Sequence, residues 1–524
     1  MATVPTEASL SGTSRKASFS DWLAVSAGTI GALMALVDVS IVNASLPVIQ
    51  GEIGATPSEG TWVGTSYLIA EIVTIPLTAW LERLLGMRRL LLASTTLFTF
   101  FSVVCGFAPD LATMIFGRVG QGMAGGILIP TSLTIVATRL PPAQQAVGLA
   151  ITAMAALLGP IAGPLLGGWL TENFSWHLAF FMNVPICMLQ IVLIMIAIPR
   201  SPANPSELRS ADWFGIAGMV IGLGSVTTLL EEGHRKHWFE SALIWQLAIA
   251  SVVGFVLVAI GQIRSRRPVL KLSLLRDRNL GSAIALMGVV GMLLYSTLFL
   301  TPQFLAALAG YNALQAGQVA FISGLVAVPA AFIYPLMVAR IDTRLIVAGA
   351  ILSVSFAAYL ASGLTADWVG ADFLPTQLLY GIGTTLSAIP LQQTVISSVS
   401  VEDAAEGNSL ISVSRNLGGS IGLAAIASFQ EQRLEFHHWR LNESIGANGF
   451  DVQQALAEMA AFLGGGLDGL SAAYRALDAQ ILVQALTMTF NDLYLALCLV
   501  GLVTMPLVLF LRPLAPGAAP AAMH

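Results

Sequence analysis

Residues 22–46 read WLAVSAGTIGALMALVDVSIVNASL, a run whose only ionisable side chain is Asp38. About 20 apolar residues suffice for a helix to cross a hydrocarbon core of roughly 30 Å. This stretch is too long for a cleaved leader, and no small-residue cleavage site follows it. It reads as an uncleaved first membrane span with a carboxylate inside. One helix later, Glu71 interrupts SYLIAEIVTIP (66–76), and Arg118 lies in a further apolar segment. Ionisable groups at bilayer depth cost several kcal/mol or stay protonated, so they are rare and mark function.

The rest of the chain suits the same solvent. Its 524 residues are 56% hydrophobic and 10% charged, whereas soluble domains carry about 25% charged residues. Fourteen spans are predicted, near 22–46, 61–81, 88–107, 111–137, 144–171, 178–199, 212–232, 242–263, 280–305, 317–339, 344–364, 371–395, 405–430 and 488–512. All are helical, because backbone groups in lipid must be paired within the segment. With the N-terminus cytoplasmic, 17 of the 24 Lys and Arg fall on the inner side. Only Arg235, Lys236, Arg433, Arg440 and Arg475 fall outside, with Arg118 and Arg415 inside helices. That bias favours an even number of spans and both termini cytoplasmic.

The expected fold is therefore an all-α integral membrane protein. A tail (1–21) precedes a six-helix bundle (22–200), and two inserted linker helices (211–263) lead to a basic inner loop (264–279). A second six-helix bundle (280–430 plus 488–512) is interrupted by a long outer loop (431–487), and a tail (513–524) closes the chain. The basic stretch RSRRPVLKLSLLRDR (264–278) suits an anionic inner leaflet, so membrane lipids are partners, or a solvated topology anchor. Within the outer loop, 451–463 and 469–485 have helix-like apolar spacing around Gly464, Gly465 and Gly466. A loop of this length is expected to be functional or docked on the bundle.

Several classes fall away. A net charge of −5 gives no support for nucleic-acid binding, which wants a basic face. Cys105, Cys187 and Cys498 lie unpaired in apolar runs, so no disulfide or metal site is expected. The six histidines are expected in loops, at helix ends or at the C-terminus. A membrane-embedded enzyme would need His, Asp or Cys clusters that the chain lacks, and it has no phosphate-binding loop, so neither catalysis nor a cofactor is expected.

Two motifs carry more. GPIAGPLLGG (159–168) places Gly159, Gly163 and Gly167 on one helix face, where another backbone can approach closely, while Pro160 and Pro164 remove helical donors and bend the segment. This run resembles the antiporter motif of the major facilitator superfamily. FGRVGQGMAGG (116–126) is similar to that superfamily's fourth-helix signature, mapping onto Arg118, Gln121 and Gly122. The opening LVDVSIVNASLP (36–47), GTWVGTSYLIAEIVTIPLTAWL (60–81), WHLAFFMNVPI (176–186) and SRNLGGSIG (414–422) resemble the fourteen-helix drug:proton antiporter branch, EmrB/QacA-like and nearest to its EmrB-type exporters. The resemblance covers roughly residues 22–512. AWLERLLGMRR (79–89) departs from the superfamily pattern, with Ala79 at its first Gly and Arg83 at its Asp; Leu81, Gly86 and Arg88 match.

The resemblance implies a bundle of six, two and six helices working by alternating access. Its function would be proton-driven export of hydrophobic or amphipathic compounds through a bacterial inner membrane, with no cofactor beyond the proton gradient. It implies partners as well, a periplasmic adaptor (EmrA-like) and an outer-membrane channel. Asp38, Glu71 and Arg118 are the expected proton-coupling residues, with an Asp38–Arg118 interaction and no fixed partner for Glu71. Asn43, Tyr295, Gln303, Tyr380 and Gln392 are candidate cavity residues, and Arg415 and Arg88 candidate gating residues. A dedicated exporter of one metabolite, such as a fatty acid or siderophore, is the alternative.

Overall fold

A computed structural model describes residues 16–265, 267–445, 450–464 and 466–512. The expected tails fall mostly outside that range, at 1–15 and 513–524. Among the described residues there are helices and no strands. The first group comprises α1 (Phe19–Glu52), α2 (Pro57–Gly60), α3 (Trp62–Thr74), α4 (Thr78–Leu85), α5 (Met87–Gly106), α6 (Leu111–Arg139), α7 (Pro142–Asn173), α8 (His177–Phe181) and α9 (Asn183–Ala197). A short α10 (Ser206–Arg209) precedes α11 (Trp213–Gly233) and α12 (Ala242–Arg264). Then follow α13 (Arg278–Ala307), α14 (Ala313–Val338), α15 (Thr343–Ala361), α16 (Leu374–Ser398), α17 (Ala404–Ile445), α18 (Phe450–Phe462) and α19 (Gly466–Thr504).

Eleven helices among the described residues are long and apolar enough to cross a membrane. The stretches expected at 61–81, 144–171 and 371–395 are also helical but are not among the eleven. The first is split into α3 and α4 by a 3-10 turn, Ile75–Leu77, around Pro76, a residue that lacks the N–H for an α-helical bond. The last, α16, buries Thr376, Gln377, Thr384, Thr385, Ser387, Gln392 and Thr394, a polar content that lowers its hydropathy. The second is α7, 32 residues long.

Packing gathers α1, α3, α5, α6, α7 and α9 around one another, and α13 to α17 with α19 around one another. The pair α11 and α12 is tightly joined and leans on α3 and α17. A Cβ on Gly254 of α12 would fall 2.2 Å from Gly222 N of α11, so these backbones nearly touch. The two large groups meet where α7 lies on α14 and α16, and where α17 lies on α6 and α4.

Both described ends of the chain lie on one face of the molecule. Ala17 N donates to Gln144 Oε1 at the start of α7 (3.0 Å), and Arg512 N donates to Asn279 Oδ1 at the start of α13 (2.7 Å). On the same face Arg83, at the end of α4, forms an ion pair with Glu406 at the start of α17. Glu207 Oε2 lies 3.7 Å from Arg83 Nε, and Arg267 Nη1 lies 3.2 Å from Glu207 Oε1. Lys271 reaches Asp403 at 2.6 Å. Gly86, at φ 79°, makes the turn from α4 to α5, a conformation that favours glycine. On the opposite face, Asp110 starts α6 by accepting from Thr113 N (2.8 Å), and that bond holds its carboxyl below the usual range.

Residues 431–487, expected as a loop, are mostly helical. The helix entering from span 13 continues to Ile445, and the one leaving begins at Gly466. The segments expected at 451–463 and 469–485 correspond to α18 and the first half of α19. They form a hairpin around Leu456, Ala460 and Ala473. His437, expected in a loop, is a buried helical residue whose Nε2 lies 2.7 Å from Asp492 Oδ2.

Candidate functional site

Five helices converge on Asp38. Its side chain and that of Arg118 are both 0% exposed, and Arg118 Nη1 meets Asp38 Oδ2 at 2.5 Å. Arg118 also donates from Nε to Val63 O (3.0 Å) and from Nη1 to Gln121 Oε1 (3.0 Å). The Tyr67 ring lies 4.3 Å from its guanidinium carbon. The other carboxylate oxygen, Oδ1, accepts from Asn183 Nδ2 at 2.6 Å and Gln121 Nε2 at 3.3 Å. Ser102 Oγ accepts from both of those amides, at 3.2 and 2.8 Å. A buried pair survives only when its remaining lone pairs and protons are engaged, and here almost all are; Arg118 Nη2 is left without a partner.

The glycine motifs hold this network in place. In α6, a Cβ on Gly122 would fall 2.3 Å from Tyr67 O, and one on Gly126 2.6 Å from Glu71 O. Gly117 and Gly120 meet α5 instead, at Cys105 Sγ (2.4 Å) and Phe101 Cδ2 (2.3 Å). The signature around Arg118 is thus a two-sided seam that sets α3 and α5 at backbone distance from its arginine. In α7, Gly159, Gly163 and Gly167 face Leu36, Ser40 and Ile41 of α1, the turn that carries Asp38. Pro160 and Pro164 are positions whose side chains lie outside the described set. Gly163→Ala would put its new carbon 2.1 Å from Ser40 Cβ and 2.8 Å from Ser40 C. Backbone cannot yield cheaply, so overpacking of about 1–3 kcal/mol is expected, with α1 displaced and transport lost. The check is the melting temperature of the purified variant beside its transport rate; wild-type values for both would refute it.

Glu71 differs from the expectation. It is 4% exposed and accepts from Asn416 Nδ2 of α17 at 3.2 Å. Arg415, the preceding residue of α17, acts on it electrostatically. A carboxylate of the first helix group is therefore tied to a helix of the second. Arg415, expected near the inner end of its helix as a gate, is the twelfth residue of α17 and lies within electrostatic reach of Glu71.

Four of the five candidate cavity residues lie on α13 and α16, which pack on one another, with Tyr295 and Tyr380 in electrostatic reach of each other. Tyr295 lies within electrostatic reach of both Arg415 and Glu71. Tyr380 donates from its hydroxyl to Leu294 O (2.6 Å) and lines a narrow cavity with Thr301, Gln377 and Tyr494. Gln303 and Gln392 each bury an Oε1 without a partner, and exposed Asn43 stands beside Gly64. Arg88 donates to Ile198 O at 3.2 Å, within the first helix group. Sequence reasoning missed Asn183 and Ser102. Asn183 lay within WHLAFFMNVPI; nothing marked Ser102 among the many small polar residues. No group of three or more His, Cys, Asp or Glu among the described residues is arranged to hold a metal.

Residues 28–423 match the Major Facilitator Superfamily. The chain belongs to that superfamily. Within it, the chain is 30% identical over 491 residues to the multidrug export protein EmrB of Escherichia coli (strain K12), covering 93% of this chain and 94% of that one. It is 29% identical over 496 residues to the fatty acid resistance protein FarB of Neisseria gonorrhoeae, covering 94% and 96%. The human organic anion transporter MFSD10 (TETRAN) has the same fold, with a TM-score of 0.59, 18% identity, and coverage of 92% of this chain and 99% of that one. This superfamily member is accordingly a multi-pass membrane transporter.

Proposed function

We propose that this chain exports hydrophobic or amphipathic small molecules in exchange for protons, by alternating access to a site between two helix bundles. The observation that carries the reading is the dry Asp38–Arg118 network, an ionisable pair at span depth in a superfamily of transporters. The likeness to EmrB, named for multidrug export, supports the breadth of cargo. One charge moved across 100 mV supplies about 2.3 kcal/mol, so no nucleotide is required. Cargo-dependent proton movement in proteoliposomes tests the reading. Export that proceeds without proton flux would refute it.

The architecture that goes with this function has fourteen spans arranged as six, two and six in a bacterial inner membrane, with both termini cytoplasmic. The helical hairpin of α17, α18 and α19 then faces outward, where a periplasmic adaptor leading to an outer-membrane channel would dock. Exposed Ser273 and Ser444 allow a direct test, because all three native cysteines are buried. Ser273→Cys is expected to react with an impermeant maleimide only in inverted vesicles, and Ser444→Cys only in right-side-out ones. The opposite pattern would invert the topology.

A second reading, a dedicated exporter of one metabolite, is favoured by the likeness to FarB, named for fatty acid resistance. Survival of expressing cells over chemically diverse compounds separates the two. Protection against one chemical class alone would select the dedicated exporter.

A further inference from the structure

Arg415 is held quite differently from Arg118. Its Nε and Nη2 are buried with no hydrogen-bond partner. Among the described residues it forms no ion pair, although Glu71 and Tyr295 lie within its electrostatic reach. The backbone beneath it is fixed. A Cβ on Gly291 of α13 would fall 2.1 Å from Arg415 O, and one on Gly418 2.0 Å from Gly288 O. The ring of Tyr295 fills the next gap, with Cδ2 2.3 Å from where a Gly419 Cβ would stand.

Glu71 does not complete this guanidinium. Its Oε1 is taken by Asn416 Nδ2 at 3.2 Å, and Asn416 Oδ1 is itself left unpartnered. Buried charged donors without acceptors are costly, and a guanidinium fork matches a carboxylate in shape as well as charge. Arg415 is only partly buried as a whole residue, with Nε and Nη2 themselves closed off, so cargo reaches the fork when the helices around it part. No acceptor among the described residues hydrogen-bonds these two nitrogens.

We propose that Arg415 is the head-group site for anionic amphiphilic cargo, its Nε and Nη2 receiving a carboxylate beside Tyr295. This deepens the exporter reading and rests on it for transport but not for binding. Glu71 lies within electrostatic reach as a like charge to the cargo, so removing that charge favours the anion.

The probe is laurate, with dodecanol and dodecylammonium as neutral and cationic matches, bound to the full chain in phosphatidylcholine nanodiscs. Wild type is expected to prefer laurate to dodecanol. Arg415→Gln should weaken laurate binding about tenfold or more and leave dodecanol unchanged. Arg415→Lys should retain part of the preference, which separates loss of charge from loss of fold. Glu71→Gln should bind laurate at least as well as wild type. Equal laurate binding by wild type and Arg415→Gln would overturn the proposal, as would equal losses for all three probes. Displacement of laurate by added phosphatidylglycerol would overturn the cargo assignment in favour of a lipid. Laurate binding that depends on Arg415 in a protein that moves nothing in vesicles would leave the site standing and refute the exporter.

Discussion

Asp38→Asn is expected to abolish transport driven by a pH gradient in a protein that still folds, though with lowered stability. The amide keeps the shape of the side chain and still accepts from Asn183 Nδ2, which donates to Asp38 Oδ1 at 2.6 Å in the native network. What it cannot do is exchange a proton. An exchanger must bind its proton in one access state and release it in the other, so the rate in reconstituted vesicles should fall to background. Cargo binding, measured in parallel, should persist. Both Asp38→Asn and Arg118→Ala should lower stability, since removing either partner of a buried pair costs about 3–5 kcal/mol. Asp38→Asn that transports at the wild-type rate would end the case for this network as the proton site.

The second large effect is expected at the face that carries both described ends. Arg83 stands where the superfamily pattern has an aspartate, and its partner is Glu406, across the boundary between the two helix groups. The residue at this latch is thus of opposite sign to the one in that pattern. Arg83→Glu alone would gather its charge with those of Glu82, Glu207 and Glu406, and Glu406→Arg alone would set two cations together. Each should reduce transport about tenfold or more, since like charges at a contact cost several kcal/mol. The double variant, Arg83→Glu with Glu406→Arg, should recover much of the rate. Recovery should be incomplete, because Glu207 remains 3.7 Å from position 83. A double variant as inactive as either single one would show that the two residues do not act as a pair.

Much of this was legible in the residues. Asp38 and Arg118 announced themselves because charges in apolar runs are conspicuous, and their pairing was what the resemblance implied. Glycine spacing in GPIAGPLLGG foretold a close crossing, and the partner is α1 at Leu36, Ser40 and Ile41. The partners of Glu71 were not legible. Asn416 lies 345 positions away, and only the apposition of the two helix groups brings it near. The facing partners of the candidate cavity residues were not legible for a related reason: periodicity places a polar residue on a helix but says nothing of which helix it will face. In the outer segment the apolar spacing at 451–463 and 469–485 announced the helices found there, but the continuation of α17 to Ile445 was not legible, because polar, charged stretches outside lipid look alike whether coiled or helical. The broken second span follows from Pro76, whose effect the apolar run concealed.

The length of α17 has a mechanical consequence. At 1.5 Å per residue, its 42 residues form a rod of about 63 Å, roughly twice the thickness of a hydrocarbon core. Near its base the rod carries Glu406 of the latch, higher up Arg415 and Asn416, and toward its tip Arg433 and His437, both held by Asp492. A rod pivoted near its base magnifies rotation into sweep. A tilt of about 10° would carry the tip sideways by some 10 Å over that length. Release of a proton or cargo deep in the protein would therefore be felt as a stroke at the opposite surface, through a single unbroken helix.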